Sequence, residues 1–352
     1  MIRHNLVEIF EKIAPGTPLR EGIFNILDGH LGALLILGYD EEVEKVLDGG
    51  FFIDCDYTPE RLFELAKMDG AIVLDKNCEK IIYANVHIQA DAKYPTSESG
   101  TRHRTAHRAS QQLGKLVVAV SERKAVVTVY QGKEKYRLQN LSVLMEEATQ
   151  ALKILERYRY VLDKALVNLT LLELDDLVTV FDVITMAQRF EMISRIENEL
   201  IGYVRELGKE AHLINSQLKE LTQDIEVEYL EFLKDYLKEE TKIESIQKRI
   251  HQLTDQELLE AEILADVFGY GKTYSVLDNK VSSRGYRILG KISKLTKKDI
   301  EKMVTTYGNI AEIQEAEDED LLEIKLSKFK IRAMRTGIQR LKFTVELTKF
   351  KL

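Results

Sequence analysis

The chain predicts three parts in series: an α/β domain with a mixed sheet, an all-α helical spine, and a small all-α C-terminal segment. Three observations carry this reading. All four prolines (15, 18, 59 and 95) fall within the first 95 residues. Eleven glycines lie up to Gly132, none follow until Gly202, and a second gap runs from Lys209 to Phe268. Glycine and proline are the main helix breakers, so two such gaps mean long helices. Short apolar runs bounded by turn residues are confined to residues 1–140. At roughly 150 residues per domain, a chain of 352 residues holds two or three domains.

Taken in order, LVEIFEKI (6–13) is amphipathic and predicts a helix ahead of the sheet. The predicted strands are GALLILGY (32–39), FFIDCDY (51–57), AIVLD (71–75), KIIYANVHI (80–88), LVVAVS (116–121) and AVVTVY (125–130). Most are apolar almost throughout, which predicts a sheet covered on both faces. Thr58-Pro59-Glu60 is an N-cap followed by proline at the first helical position, starting a helix through RLFELAKM that ends at Gly70. A second helix runs from near Thr101 to Gly114. From about 141 to 270 apolar residues recur three and four apart, for instance Ile193, Ile196, Leu200 and Val204, without a sustained heptad. That pattern favours a bundle over an extended coiled coil. Finally, Arg284–Ile310 and then Glu317–Leu341 each read as helix, short turn, helix, the second turn being Ser327-Lys328-Phe329. The expected domains are therefore 1–140, 141–280 and 281–352.

Composition narrows the function classes. With 45% apolar and 31% charged residues the chain is neither collagen-like nor low-complexity, and it is too apolar for a disordered chain of high net charge. Cys55 and Cys78 match no metal-ligand or CxxC spacing and suggest a reducing compartment. The N-terminal MIRHNLVEIFEKIAPG has no signal-peptide apolar core, and no apolar run approaches the roughly 20 residues that span a bilayer. The expectation is a soluble cytoplasmic protein with no membrane partner. Charge is unevenly spread: residues 281–352 hold sixteen Lys and Arg against ten Asp and Glu, about +6, leaving 34 against 48 in residues 1–280, about −14. A basic end on an acidic chain is the asymmetry expected of nucleic-acid contact by one end. A solvated or protein-contacting basic face is the other reading.

Ser97 to Arg108, SESGTRHRTAHR, is the most unusual stretch. Gly100 and Thr101 sit where a loop enters a helix, and Arg102, Arg104 and Arg108 crowd its first turns. Cations there are unfavourable for the helix, whereas its free amides and dipole attract anions and arginine forks grip phosphate. The alternative is an exposed basic helix. His103 and His107 have i, i+4 spacing, but arginine stands where the HExxH motif has its glutamate, which argues against a metalloprotease. His103 as one ligand to a nucleotide-associated metal is the favoured reading, and His107 is expected to be a surface histidine. Asp69-Gly70-Ala71 precedes a buried strand, where an aspartate can accept a proton or hold a metal; an ordinary helix cap is the plain alternative. Ser121-Glu122 opens a polar turn between two apolar strands, or merely a hairpin.

DGA before a strand, GTRHR opening a helix about 30 residues later, and then a Ser-Glu turn together resemble the diadenylate cyclase domain. Gly16 to Ile23, GTPLREGI, is similar to the same family's pattern. The order of the whole chain resembles the DNA integrity scanning family of these cyclases: cyclase domain, helical spine, and a C-terminal helix-hairpin-helix region. The resemblance implies condensation of two ATP into cyclic di-AMP with release of two pyrophosphates. It implies that Asp69 sits at the attacking ribose 3′-hydroxyl, directly or through a metal, and that Gly70 and Ala71 lie along the nucleoside. Thr101, Arg102 and Arg104 would hold phosphates, His103 the divalent metal (Mg or Mn), and Ser121 the phosphate chain; Asp69, Arg102 and His103 would be catalytic. It also implies two domains face to face, an octamer, and branched DNA bound at the nucleoid. Where the family's pattern has an acidic residue after GTRHRTA, this chain has His107, and where it has a Gly-hydrophobic-Gly hairpin this chain has Ser327-Lys328-Phe329. DNA contact would then rest on Lys291, Lys294, Lys325, Lys328, Lys330, Arg332 and Arg335. The rival class is a DNA-bound scaffold that senses ATP or cyclic di-AMP without turnover.

Overall fold

A computed structural model describes residues 4–237 and 241–349, which form two compact units: 1–150 with 200–216, and 151–199 with 217–352. The first unit is built on eight strands: β1 (Ala33–Leu37), β2 (Leu47–Asp48), β3 (Phe51–Asp56), β4 (Ala71–Leu74), β5 (Lys80–Ile88), β6 (Leu116–Ser121), β7 (Val126–Gln131) and β8 (Glu134–Arg137). Their order is β2-β5-β4-β1-β6-β7-β8, with β3 also pairing β5. Only β1 and β4 run parallel; every other pair is antiparallel, so the sheet is mixed as expected.

Both faces of the central strands are covered. Leu35 and Leu37 of β1 pack with Ile9, Ile23, Ile26 and Leu62, contributed by helices α1 (His4–Ile13), α2 (Pro18–Asp28) and α4 (Pro59–Ala66). Leu34 and Ile36, on the opposite face by strand alternation, pack with Ala106 and Ala109 of α5 (Thr101–Leu113). A one-turn helix, α3 (Glu41–Glu44), leads from β1 toward β2. β3 departs from the expectation: Phe51 and Phe52 are exposed, because this strand pairs only with β5 and kinks at a register shift between Phe52 and Cys55. Cys55 and Cys78 are free thiols.

The spine opens with two long helices, α6 (Leu141–Leu174) and α7 (Val180–Leu207), followed by α8 (His212–Thr222), α9 (Ile225–Tyr236), α10 (Ile243–Gln252), α11 (Asp255–Leu259) and α12 (Ala261–Phe268). The chain closes with α13 (Tyr286–Gly290), α14 (Lys297–Tyr307), α15 (Ile310–Glu315), α16 (Asp318–Glu323) and α17 (Lys328–Lys349). Within the second unit, Ile288, Met303, Ile310, Leu321, Ile331 and Met334 share one core. Arg287 is fully buried there. It forms an ion pair with the equally buried Glu173 and donates from Nη2 to Thr170 Oγ1 at 3.0 Å. Tyr236 donates to Glu173 Oε1 at 2.7 Å. No described helix is long and apolar enough to cross a membrane.

Candidate active site and basic surface

Register gathers the three sequence motifs at one end of the sheet. In the parallel pair Leu34 lies beside Ala71, and in the antiparallel pair Ala33 lies beside Val120. Asp69-Gly70, the start of β1 and Ser121 therefore share one end of the central strands. The N-terminus of α5 reaches the same end, because Arg102 Nη1 lies 3.4 Å from the Val120 carbonyl oxygen. A methyl group on Gly32 would fall 2.1 Å from that nitrogen, so the absent side chain is what lets the guanidinium lie across the entry to β1.

Each candidate residue has a distinct setting. Asp69 is exposed in the turn after α4, which stops at Ala66, before the expected Gly70. Gly70 has φ +98, and a Cβ there would lie 2.9 Å from backbone atoms of Asn85 and Val86. Packing against β5 is thus sufficient reason for glycine at this position. Ala71 is buried as the first residue of β4. Gly100 is the N-cap of α5 and offers no side-chain cap, leaving the first-turn amides without an internal side-chain acceptor. Thr101 and Arg104 are exposed, Arg104 donating to the Ser99 carbonyl at 3.3 Å, and Ser121 is half-buried at the end of β6.

His103 is held by residues that the motif search missed. Its Nδ1 lies 2.9 Å from the Tyr130 hydroxyl, and Glu98 raises the pKa of that hydroxyl, after the larger effect of its burial. Glu98 pairs with Lys135 at 2.8 Å. With Nδ1 engaged by the tyrosine hydroxyl, Nε2 has no hydrogen-bond partner among the described residues. Burial pushes the imidazole below its ordinary value, which keeps it neutral at pH 7. A neutral histidine oriented through its other nitrogen is suited to ligate a metal.

His107 is not a surface residue. It is buried, stacks on Tyr130 with centroids 5.2 Å apart, and engages both nitrogens, Nδ1 with Thr96 Oγ1 at 2.9 Å and Nε2 with the Lys133 carbonyl at 3.4 Å. The helical period already held the signal, since position 107 lies on the face of the small residues Ala106, Ala109 and Ser110, which are buried. Among the described residues no group of three or more His, Cys, Asp and Glu could enclose an ion. A divalent ion at such a site would have to take most of its ligands from substrate phosphates and water.

The basic candidates divide into two groups. Lys291 pairs with Glu228 at 2.9 Å and Lys330 with Asp299 at 2.6 Å. Arg335 donates to the carbonyls of Gln314 and Ala316, closing the ends of α15 and the following turn. These three are engaged within the fold. Lys294, Lys325, Lys328 and Arg332 are exposed, with no ion pair among the described residues.

A mixed α/β domain with an uncapped helix start, arginines and a half-buried histidine at one end of its central strands has the form of a nucleotide-binding domain. The family model described as DisA bacterial checkpoint controller nucleotide-binding, abbreviated DAC, matches residues 20–135, and the DisA linker region matches 138–277. The protein named DNA integrity scanning protein DisA of Fusobacterium nucleatum is 58% identical over 99% of this chain and 100% of its own length. Its namesakes in Bacillus licheniformis and Carboxydothermus hydrogenoformans are 42% and 44% identical, each over 96% of this chain and 95% and 97% of their own. The chain belongs to the DisA family of diadenylate cyclases.

Proposed function

We propose that two copies of the α/β domain, face to face, condense two ATP into cyclic di-AMP and two pyrophosphates. The observation that most supports the reading is that Asp69–Ala71 and Ser121 lie at one end of the central strands, where Arg102 of α5 reaches the Val120 carbonyl. Each ribose 3′-hydroxyl attacks the α-phosphorus of the opposite nucleotide. One P–O bond forms, the bond to the pyrophosphate oxygen breaks, and the hydroxyl proton passes to Asp69. Such a displacement needs alignment and charge neutralisation more than covalent help. Arg102 and Arg104 supply fixed positive charge, while Thr101 and the α5 amides orient the phosphate chain with Ser121. Gly70 and Ala71 line the nucleoside. A divalent ion, Mg or Mn, would be held by His103 Nε2 with Asp69 and would neutralise charge developing on the phosphates.

Since each domain carries one set of these residues, a lone subunit is inactive, and the spine is the scaffold of an octamer. The working domains are a cyclase at 1–140, a spine at 141–280 and a DNA-binding segment at 281–352. The exposed Lys294, Lys325, Lys328 and Arg332, with the +6 balance of that segment, support contact with branched DNA that tunes the cyclase in the nucleoid. The relatives' printed name, DNA integrity scanning protein, supports DNA as the partner.

Incubation with ATP and Mn²⁺ or Mg²⁺, followed by chromatography, tests the chemistry. Wild type should form cyclic di-AMP. Asp69→Asn should bind ATP and lose at least about a hundredfold in turnover, the usual contribution of a general base. Absence of cyclic dinucleotide from wild type refutes the reading, and undiminished turnover by Asp69→Asn removes that residue from it. Sedimentation combined with the assay tests the assembly: activity in a monomeric fraction would contradict the facing arrangement.

A further inference from the structure

We infer that Phe329 is a stacking wedge that inserts against unpaired or unstacked bases of a DNA held by the cations around it. The inference rests on the proposal that the C-terminal segment binds DNA, and names the DNA feature it reads. The turn from α16 falls at residues 324–327 rather than at the expected Ser327-Lys328-Phe329, so Phe329 is the second residue of α17, where it is 66% exposed. The turn beneath it is anchored on both sides, because Leu326 and Ile331 are each 3% exposed in the core of the second unit. A large aromatic ring held outward on a fixed backbone loses little entropy on contact, which is what a wedge requires.

The surrounding polar groups indicate what the ring meets. Lys325, Lys328 and Arg332 flank it, exposed and without an ion pair among the described residues. Lys330, by contrast, is tied to Asp299. The Ser327 hydroxyl accepts from the Lys330 backbone N–H at 3.4 Å, so the helix start is capped from within and that amide is not offered to a phosphate. Anion contact at this turn is thereby left to flexible side chains. Three exposed cations without an ion pair among the described residues, all within four positions of one projecting aromatic ring, is the pattern of a site that follows a phosphate backbone while stacking on a base. A lipid surface would call for a continuous apolar face around Phe329, whereas the apolar positions next along α17, Ile331, Met334 and Ile338, face the core and the other exposed ones, Phe343 and Leu347, lie near its far end.

The test uses the full chain with three fluorescent DNAs of equal length: a perfect duplex, a duplex with 2-aminopurine beside a mismatch, and a four-way junction. Binding is followed by anisotropy at fixed salt and unstacking by 2-aminopurine emission. Wild type should prefer the junction and mismatch over the duplex and raise the emission. Phe329→Ala should lose about tenfold on the unstacked DNAs, as expected for a stacking aromatic, and less than about twofold on the duplex. Phe329→Trp should keep the preference. Lys328→Ala with Arg332→Ala should weaken all three DNAs alike and flatten the salt dependence. An unchanged preference in Phe329→Ala, or emission that does not respond to wild type, overturns the wedge and leaves DNA binding standing. No binding of any DNA by wild type, or binding only to phosphatidylglycerol vesicles, overturns the DNA reading and the wedge together.

Discussion

Asp299 holds the start of α14 to the start of α17, and its removal gives a measurable loss. Its Oδ2 accepts from the Thr296 backbone N–H at 2.9 Å, from the Thr296 hydroxyl at 2.6 Å and from Lys330 Nζ at 2.6 Å. Burial alone would raise this carboxyl, but the bonds to Lys330 and Thr296 outweigh it and hold the group at about 2, against an ordinary 3.8. That gap corresponds to about 2.4 kcal/mol. A second route agrees: a lost capping interaction costs about 1 kcal/mol and a lost hydrogen bond to a charged partner about 1.5 kcal/mol. Asp299→Ala should therefore lower the amide-exchange protection of α14 and the first turns of α17 by about 60-fold at pH 7. Asp299→Asn keeps the cap and should cost roughly half as much on a logarithmic scale. The folded value lies below the unfolded one, so the stabilisation is complete above the ordinary carboxylate range and is lost as pH falls toward 2. Asp299→Ala should flatten the acid side of the melting profile accordingly. A protection loss under threefold, with an unchanged acid profile, would refute the reasoning.

Arg102→Ala should weaken binding of an unreactive ATP analogue by about tenfold or more, the worth of a charged hydrogen-bonded contact. Gly32→Ala should act in the same direction by displacing the guanidinium without lowering the melting temperature; calorimetry showing unchanged affinity in both would contradict the phosphate role. Tyr130→Phe removes the hydroxyl that orients His103 and should weaken Mn²⁺ binding in the presence of the analogue by about 10–100-fold, read from the Mn²⁺ resonance. Identical affinity would free His103 from that support. Arg287→Met strands the buried Glu173 carboxylate and should cost about 3–5 kcal/mol, seen as loss of the second unit's transition in urea; a cost under about 1 kcal/mol would mean that the pair is dispensable.

Most of the first unit was legible because its strands are apolar runs cut by turn residues. β1, β4 and β6 bury nearly every residue, and the Thr58-Pro59 cap gave the start of α4, its threonine accepting from the Arg61 N–H at 3.2 Å. The same logic applied to Thr17-Pro18, which caps α2 through the Arg20 N–H, but Gly22 within the helix masked it. β8, with sequence EKYR and alternating burial, carries too little apolar content to stand out, and the two-residue β2 carries even less. The parallel pairing of β1 with β4 is a long-range choice, and no local pattern encodes it.

The site divides along the same line. GTRHR and DGA were visible because charge at a helix start and glycine before a buried strand both conflict with ordinary local preference. Tyr130, Glu98 and Lys135 break no local rule. Tyr130 sits in β7 as any aromatic residue in a strand does, and its hydroxyl matters only because α5 lays His103 against it. Supporting residues of this kind are contributed by tertiary packing, so their identity follows from the strand order. In this chain the substitution beside the motif is informative for that reason. His107 stacks on the very tyrosine that orients His103, with both its nitrogens already bonded to Thr96 and Lys133. An acidic side chain in its place would bring a carboxylate to the tyrosine hydroxyl that His103 Nδ1 engages. A histidine there is satisfied by Thr96 and Lys133 and leaves that hydroxyl to His103.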